Sequence, residues 1–255
     1  MKIIRTVNEA EVIGEFLRNE FYQNEYHHDR HEFEGVVMEP DFSNAAENAL
    51  RRALLFRRRG HMWRELPADT KWCEVELEAH DLPKVHVFPR AQWRKLSKGS
   101  FCIGEIVKSV RNDGHKNAGN AVIAKIQQLR YRLQYNQDSH GAVLLIGTDE
   151  NSPVTVLEGN HRLTAALLVS PDMMQKRFRV LCGFSARMTE SCWYRTNIPN
   201  LARYLKNRIT HLYDREADVH RLTRIVQPVT AKAPEKLVKA AATEGASVNE
   251  VPELK

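Results

Sequence analysis

No apolar run in this 255-residue chain approaches the roughly 20 residues that would span a bilayer. Met1-Lys2-Ile3-Ile4-Arg5 passes at once into polar sequence, so no secretory leader is expected. Cysteine is scarce. Cys73, Cys102, Cys182 and Cys192 stand far apart, with no C-x-x-C pair to suggest a metal or redox site. Cys182 lies in an apolar run and reads as core, whereas Cys192, beside Trp193, is expected to be half exposed. Free thiols fit a reducing compartment. The expected location is therefore cytoplasmic, with no membrane among the partners. HExxH is missing, and His27 and His31, four apart, have no identifiable third ligand, so that stretch reads as polar surface. No paired-carboxylate pattern supports two-metal cleavage, and no internal repeat is visible.

Acidic charge is also in deficit. Thirty-eight Lys and Arg face 32 Asp and Glu, a net charge of +6. That balance favours anionic partners, whether nucleotides, phosphorylated metabolites or nucleic acid, without choosing among them. The densest basic cluster is Arg51, Arg52, Arg57, Arg58 and Arg59. It is either an acid-binding surface or an exposed helix end matched to the dipole.

What is present alternates between helical and strand patterns. Thr6 and Glu9 have capping-box spacing ahead of a helix to about Phe21, with Ile13, Phe16, Leu17 and Phe21 on its apolar face. Asn44 and Glu47 repeat the device before a helix from Ala45 to Arg59, which Gly60 is expected to end. Residues 72–77 and 84–88 read as strands. Ile103 to Val110 and Ala121 to Tyr135 read as helices, and the stretch from Arg111 to Asn120, with its glycines, as a lid-like loop. Ala142 to Ile146 is a continuous apolar run, a buried strand, and Phe178 to Phe184 is another. A helix after Asn197-Ile198-Pro199 should place Leu201, Leu205, Ile209 and Leu212 inside. Asp218 to Val226 reads as one more helix, and Gln227 to Lys255 as disordered.

The chemistry gathers at Pro153 to Ser170. Pro153 to Leu157 is a β-branched strand, and His161 to Val169 a helix. Glu158-Gly159-Asn160 links them. A strand, a glycine turn and a helix N-terminus make an anion site, because the first amides are free and the dipole is positive there. Gly159 would let a phosphate approach the backbone, and Asn160, His161 and Arg162 add donors. The alternative is structural: Gly159 shapes a turn, Asn160 caps the helix and Arg162 lies in solvent.

Leu157-Glu158-Gly159-Asn160-His161-Arg162, followed by Ala165-Ala166, resembles the acidic-Gly-x-His-Arg box of the ParB/sulfiredoxin-like superfamily. The resemblance covers about Trp72 to Phe184. It implies an α+β fold, a small mixed sheet with packed helices, and a cradle for nucleotide phosphates at Gly159, Asn160, His161 and Arg162. It makes Glu158 and His161 the expected catalytic pair, and Arg90 and Arg94 second-rank contacts for substrate or phosphate. Asn160 stands where sulfiredoxins carry their catalytic cysteine, so sulfinic acid reduction is not expected. No helix-turn-helix follows the box as it does in ParB proteins. The free-serine kinase branch is nearest in character, but its further glutamate is not evident; Glu105 is the nearest residue.

The organisation expected from these patterns is an N-terminal helical extension at 1–71, a nucleotide-binding core at 72–190, C-terminal helices at 191–226 and a tail at 227–255. The expected function is phosphotransfer from ATP or another nucleoside phosphate, with Mg²⁺, to a small hydroxyl-bearing acceptor. The alternative is a non-catalytic, nucleotide-gated or DNA-associated binding module.

Overall fold

The computed structural model describes residues 1–88, 91–113, 120–135, 141–170, 173 and 177–213. In chain order its strands are β1 (Lys2–Val7), β2 (Lys71–Glu76), β3 (Val85–Val87), β4 (Ala142–Gly147), β5 (Val154–Glu158) and β6 (Arg179–Phe184). Its helices are α1 (Glu9–Glu20), α2 (Arg30–Met38), α3 (Ala45–Trp63), α4 (Ala91–Leu96), α5 (Ile103–Asp113), α6 (Ala121–Gln134), α7 (Asn160–Val169) and α8 (Ile198–Leu212). The expected helix at Asp218 to Val226, the tail from Gln227, residues 114–119 of the expected lid, and Arg90 lie outside the described residues.

The strands form one mixed sheet in the order β1-β2-β6-β4-β5-β3. β4 is parallel to β6 and β3 to β5, and the other pairings are antiparallel. β4 is buried along its whole length because both faces of the sheet are covered, which explains its unbroken apolar sequence. Ala142, Leu144 and Ile146 pack with Trp72 and Leu181 among residues of α1, α2 and α3. Val143 and Leu145 pack with Val154, Val156 and Cys182 among residues of α4 to α7. The fold is α+β, a central mixed sheet between two helical layers.

The first seventy residues are more than a helical extension. β1 pairs with β2 at the sheet edge, and α1, α2 and α3 supply one of the two covering layers. Because β1 occupies residues 2–7, the cap of α1 shifts to Asn8, whose side-chain oxygen accepts from the Glu11 amide at 2.7 Å. An ion-pair network fixes this layer to the sheet. Arg179 of β6 meets Glu11 at 2.5 Å, Glu15 at 2.9 Å and Glu74 at 2.9 Å. Burial in such company raises the Arg179 pKa, chiefly through its hydrogen bond to Glu74.

The basic cluster on α3 is turned inward. Arg51 is fully buried and donates to the carbonyls of Val36 at 2.9 Å and Asp41 at 2.7 Å, with Glu47 at 3.1 Å. Arg57 and Arg58 pair with Asp29, Arg52 with Glu9, and Arg59 with Glu20 and Glu25. These guanidiniums tie elements of the chain together. Gly60 does not end α3, which continues to Trp63; a Cβ there would lie 3.0 Å from His211 Nδ1 of α8, so this glycine admits a neighbouring helix. Cys192 is buried rather than half exposed, and all four cysteines are free thiols.

α8 corrects a further expectation. Leu201, Leu205, Ile209 and Leu212 lie outside, and the helix docks by its polar side instead. No described helix is long and apolar enough to cross a membrane.

Candidate functional site

Glycine at the β5–α7 turn decides the local geometry. Gly159 is the residue before α7 and sits at φ +98°, a left-handed conformation that disfavours any side chain. A Cβ there would also come within 3.2 Å of Val143 Cα and 3.4 Å of the Ala142 carbonyl oxygen. The bare face of Gly159 is thus pressed against β4. The turn places Asn160 at the first position of α7 rather than at its cap, so the amides at 160–162 lie in the first turn, without intrahelical partners by position.

A cavity of about 430 Å³ opens beside this end of α7. Glu158, Asn160 and His161 line it from the box, and Lys125 from α6. Phe88, Gln92, Trp93 and Trp193 form further wall. The remainder comes from the N-terminal layer, with Phe16, Glu20, Gln23, Glu25, Arg59 and His61. α1 reaches the site because Asn19 is bonded to the start of β4. Its side-chain nitrogen donates to the Ala142 carbonyl at 2.9 Å, and its side-chain oxygen accepts from the Ala142 amide at 3.2 Å. Glu20 follows directly. Sequence reasoning had no signal for Glu20, Arg59 or Lys125, since each is an ordinary charged residue of an amphipathic helix.

Arg162 departs from the phosphate-binding role expected of it. It is not part of the cavity lining. Its guanidinium lies 3.6 Å from Glu158 and donates to the carbonyls of Asn19 at 3.3 Å and Ala142 at 3.5 Å. Four residues after Glu158 across a tight turn, it is drawn to the nearest carboxylate and to open carbonyls. With Gly159 facing β4, the box splits in two. Glu158, Asn160 and His161 face the cavity, while Gly159 and Arg162 build its frame. Arg94 is exposed on α4 outside the lining, although its neighbours Gln92 and Trp93 belong to it. Glu105 is exposed on α5, paired with Lys108 at 2.8 Å.

The electrostatics of the cavity are uneven. Burial, and then the Glu20 carboxylate, push the Glu158 carboxyl up to about 7, against the pull of Arg162, the Gly159 amide and Lys125. Burial, with Lys125 and Arg162 nearby, holds the His161 imidazole down at about 4, so it is neutral at pH 7. That ring leans on Trp93, with centroids 5.1 Å apart. The Asn160 side-chain oxygen is buried with no hydrogen-bond partner, a group worth about 1–3 kcal/mol when left unsatisfied. The site therefore combines a near-neutral carboxyl, a neutral imidazole, an open acceptor and a lysine around one helix N-terminus. Among the described residues no three His, Cys, Asp or Glu side chains converge as a metal group. Mg²⁺ commonly needs only one or two carboxylates beside substrate phosphates. Glu20 and Glu158, whose charges repel, are the pair that fits.

No family matches this chain. That holds for family models, and neither a curated protein nor a solved structure matches it significantly. The reading of the site accordingly rests on its own geometry and on the box at 158–162.

Proposed function

We propose that the cavity binds a nucleotide and that the protein transfers its terminal phosphoryl group to the hydroxyl of a small metabolite. One observation carries this reading: a carboxyl with a pKa near 7 shares a cavity with the N-terminal turn of α7, His161 and Lys125. Phosphoryl transfer needs positioning and charge neutralisation more than covalent help from the protein. The amides at 160–162 and Lys125 receive the phosphates, in place of the guanidinium expected from sequence. Neutral His161 donates one hydrogen bond to a phosphoryl oxygen. The Asn160 oxygen accepts from a ligand hydroxyl or amine. Glu158 takes the acceptor's proton as its oxygen attacks phosphorus, and the nucleoside diphosphate leaves. Mg²⁺ held near Glu20 and Glu158 would neutralise phosphate charge.

The alternative of a DNA-associated module draws less support, because the cluster from Arg51 to Arg59 that suggested it is paired within the chain. Calorimetric titration with ATP, with and without Mg²⁺, tests the proposal. Binding is expected in wild type, weakened about 10- to 100-fold in Lys125→Ala, the range for losing one charge-assisted hydrogen bond. Labelled γ-phosphate should pass to a member of a pool of hydroxyl metabolites. A chain that binds no nucleotide under either condition would sink the reading.

A further inference from the structure

α8 is mounted the wrong way round for a surface helix. Its polar and aromatic stripe faces the protein. Asn200 is buried and donates to the carbonyls of Thr189 at 2.9 Å and Arg195 at 2.7 Å. Asn207 donates to Glu65 at 2.5 Å. Tyr204 packs edge-on to Trp193, and the His211 ring lies 5.4 Å from that of His61. The opposite stripe, Ile198, Leu201, Leu205, Ile209 and Leu212, is between 45% and 85% exposed. Apolar residues at this spacing form the face a helix normally buries. The polar contacts on the inner side are specific and satisfied, so rolling the helix to bury the apolar stripe would break them.

We infer that the segment Asp218 to Val226 folds back as a helix and covers the C-terminal part of this stripe. Three features of the chain select it over other occupants. It follows Tyr213 after only four residues, 214–217, within the length that joins antiparallel helices. Val219, Leu222 and Val226 recur at helical spacing, with Ile225 beside them, and Pro228 stops the pattern. Nine helical residues span about 13 Å, enough to reach from Leu212 to Leu205 but not to Ile198. A second copy fits less well: α8 carries Arg203, Lys206 and Arg208 and no acidic residue, so two such helices would bring cations together. Asp214, Glu216 and Asp218 instead bring acids to that end. The strap matters to the cavity. His61 and Trp193 both line the cavity and both touch the inner stripe of α8, so covering α8 steadies one wall.

Hydrogen exchange on the full-length chain, compared with Leu222→Asp/Ile225→Asp, tests the assignment. Amides at 205–212 should exchange at least tenfold faster in the double variant, with those at 198–201 unchanged. An apolar-surface dye should bind the variant alone, and both proteins should sediment as monomers. Equal exchange in the two proteins overturns the proposal. So does a dimer that Leu205→Asp dissociates, which assigns the stripe to a second copy. Fast exchange and dye binding in wild type overturn it as well, leaving the stripe open to an external partner.

Discussion

Glu158 carries more of the chemistry than any other residue here, and its ionisation yields predictions for both rate and stability. Its carboxyl is held near pH 7 by burial and by the Glu20 charge, against an ordinary value of 4.5. As the base, it works when deprotonated. The kcat/KM for phosphoryl transfer should therefore rise with pH through about 7, and His161, neutral above pH 5, should add no second limb. Glu158→Gln should abolish the rising limb and lower the rate by about 10²–10⁴. The stability effect has the opposite sign. The folded protein binds this proton more tightly than the unfolded chain, so stability falls as pH rises from about 4.5 to about 7. Urea denaturation at several pH values should show that decline in wild type, up to about 3 kcal/mol, and none in Glu158→Gln. Parallel stability curves for the two proteins would mean that the carboxyl titrates normally.

At the scale of elements, the β5–α7 turn separates two roles for one glycine. Gly159→Ala places a side chain at φ +98° and a methyl 3.2 Å from Val143 Cα. The left-handed backbone costs about 1–2 kcal/mol and the overpacking about 1–3 kcal/mol. The variant should lose about 2–4 kcal/mol of stability, measured by urea denaturation, while its folded fraction binds ATP almost as wild type does. Lost affinity with unchanged stability would instead make Gly159 a phosphate cradle. The turn itself was legible in the sequence, because β-branched residues, glycine and an apolar helix follow one another. β4 and α6 were legible for the same reason, each having a period or run that only one element satisfies. α2 was not, since His27 to Arg30 masks the two residues it buries, Phe33 and Val37. β1 was hidden too, since its burial pattern is almost entirely exposed. On α8 the period was read correctly but assigned to the wrong face, because apolar spacing says that a stripe exists and not where the partner lies.

Across the whole molecule, the candidate site depends on residues more than a hundred positions apart. Half of the box faces a cavity whose other wall is α1 and α3. Pattern reading could place 158–162 on a helix start, but not the Glu20 that shifts Glu158, since that contact arises only when Asn19 bonds to Ala142. It follows that residues 72–213 do not make an independent domain. A chain beginning at Trp72 lacks β1 and the layer of α1, α2 and α3, leaving Leu144, Ile146, Leu157 and Leu181 open on one sheet face. It also strands Arg179, which would lose Glu11 and Glu15 and keep only Glu74. Each uncovered large side chain forfeits about 1.5–3 kcal/mol, so four such losses match or exceed the usual 5–15 kcal/mol margin of a folded domain. Thermal unfolding followed by near-ultraviolet circular dichroism should give a sharp transition for the full chain and none for the shortened one. A cooperative transition in the shortened chain, with the same near-ultraviolet spectrum, would show that the core at 72–190 stands alone and that the N-terminal layer is an appendage after all.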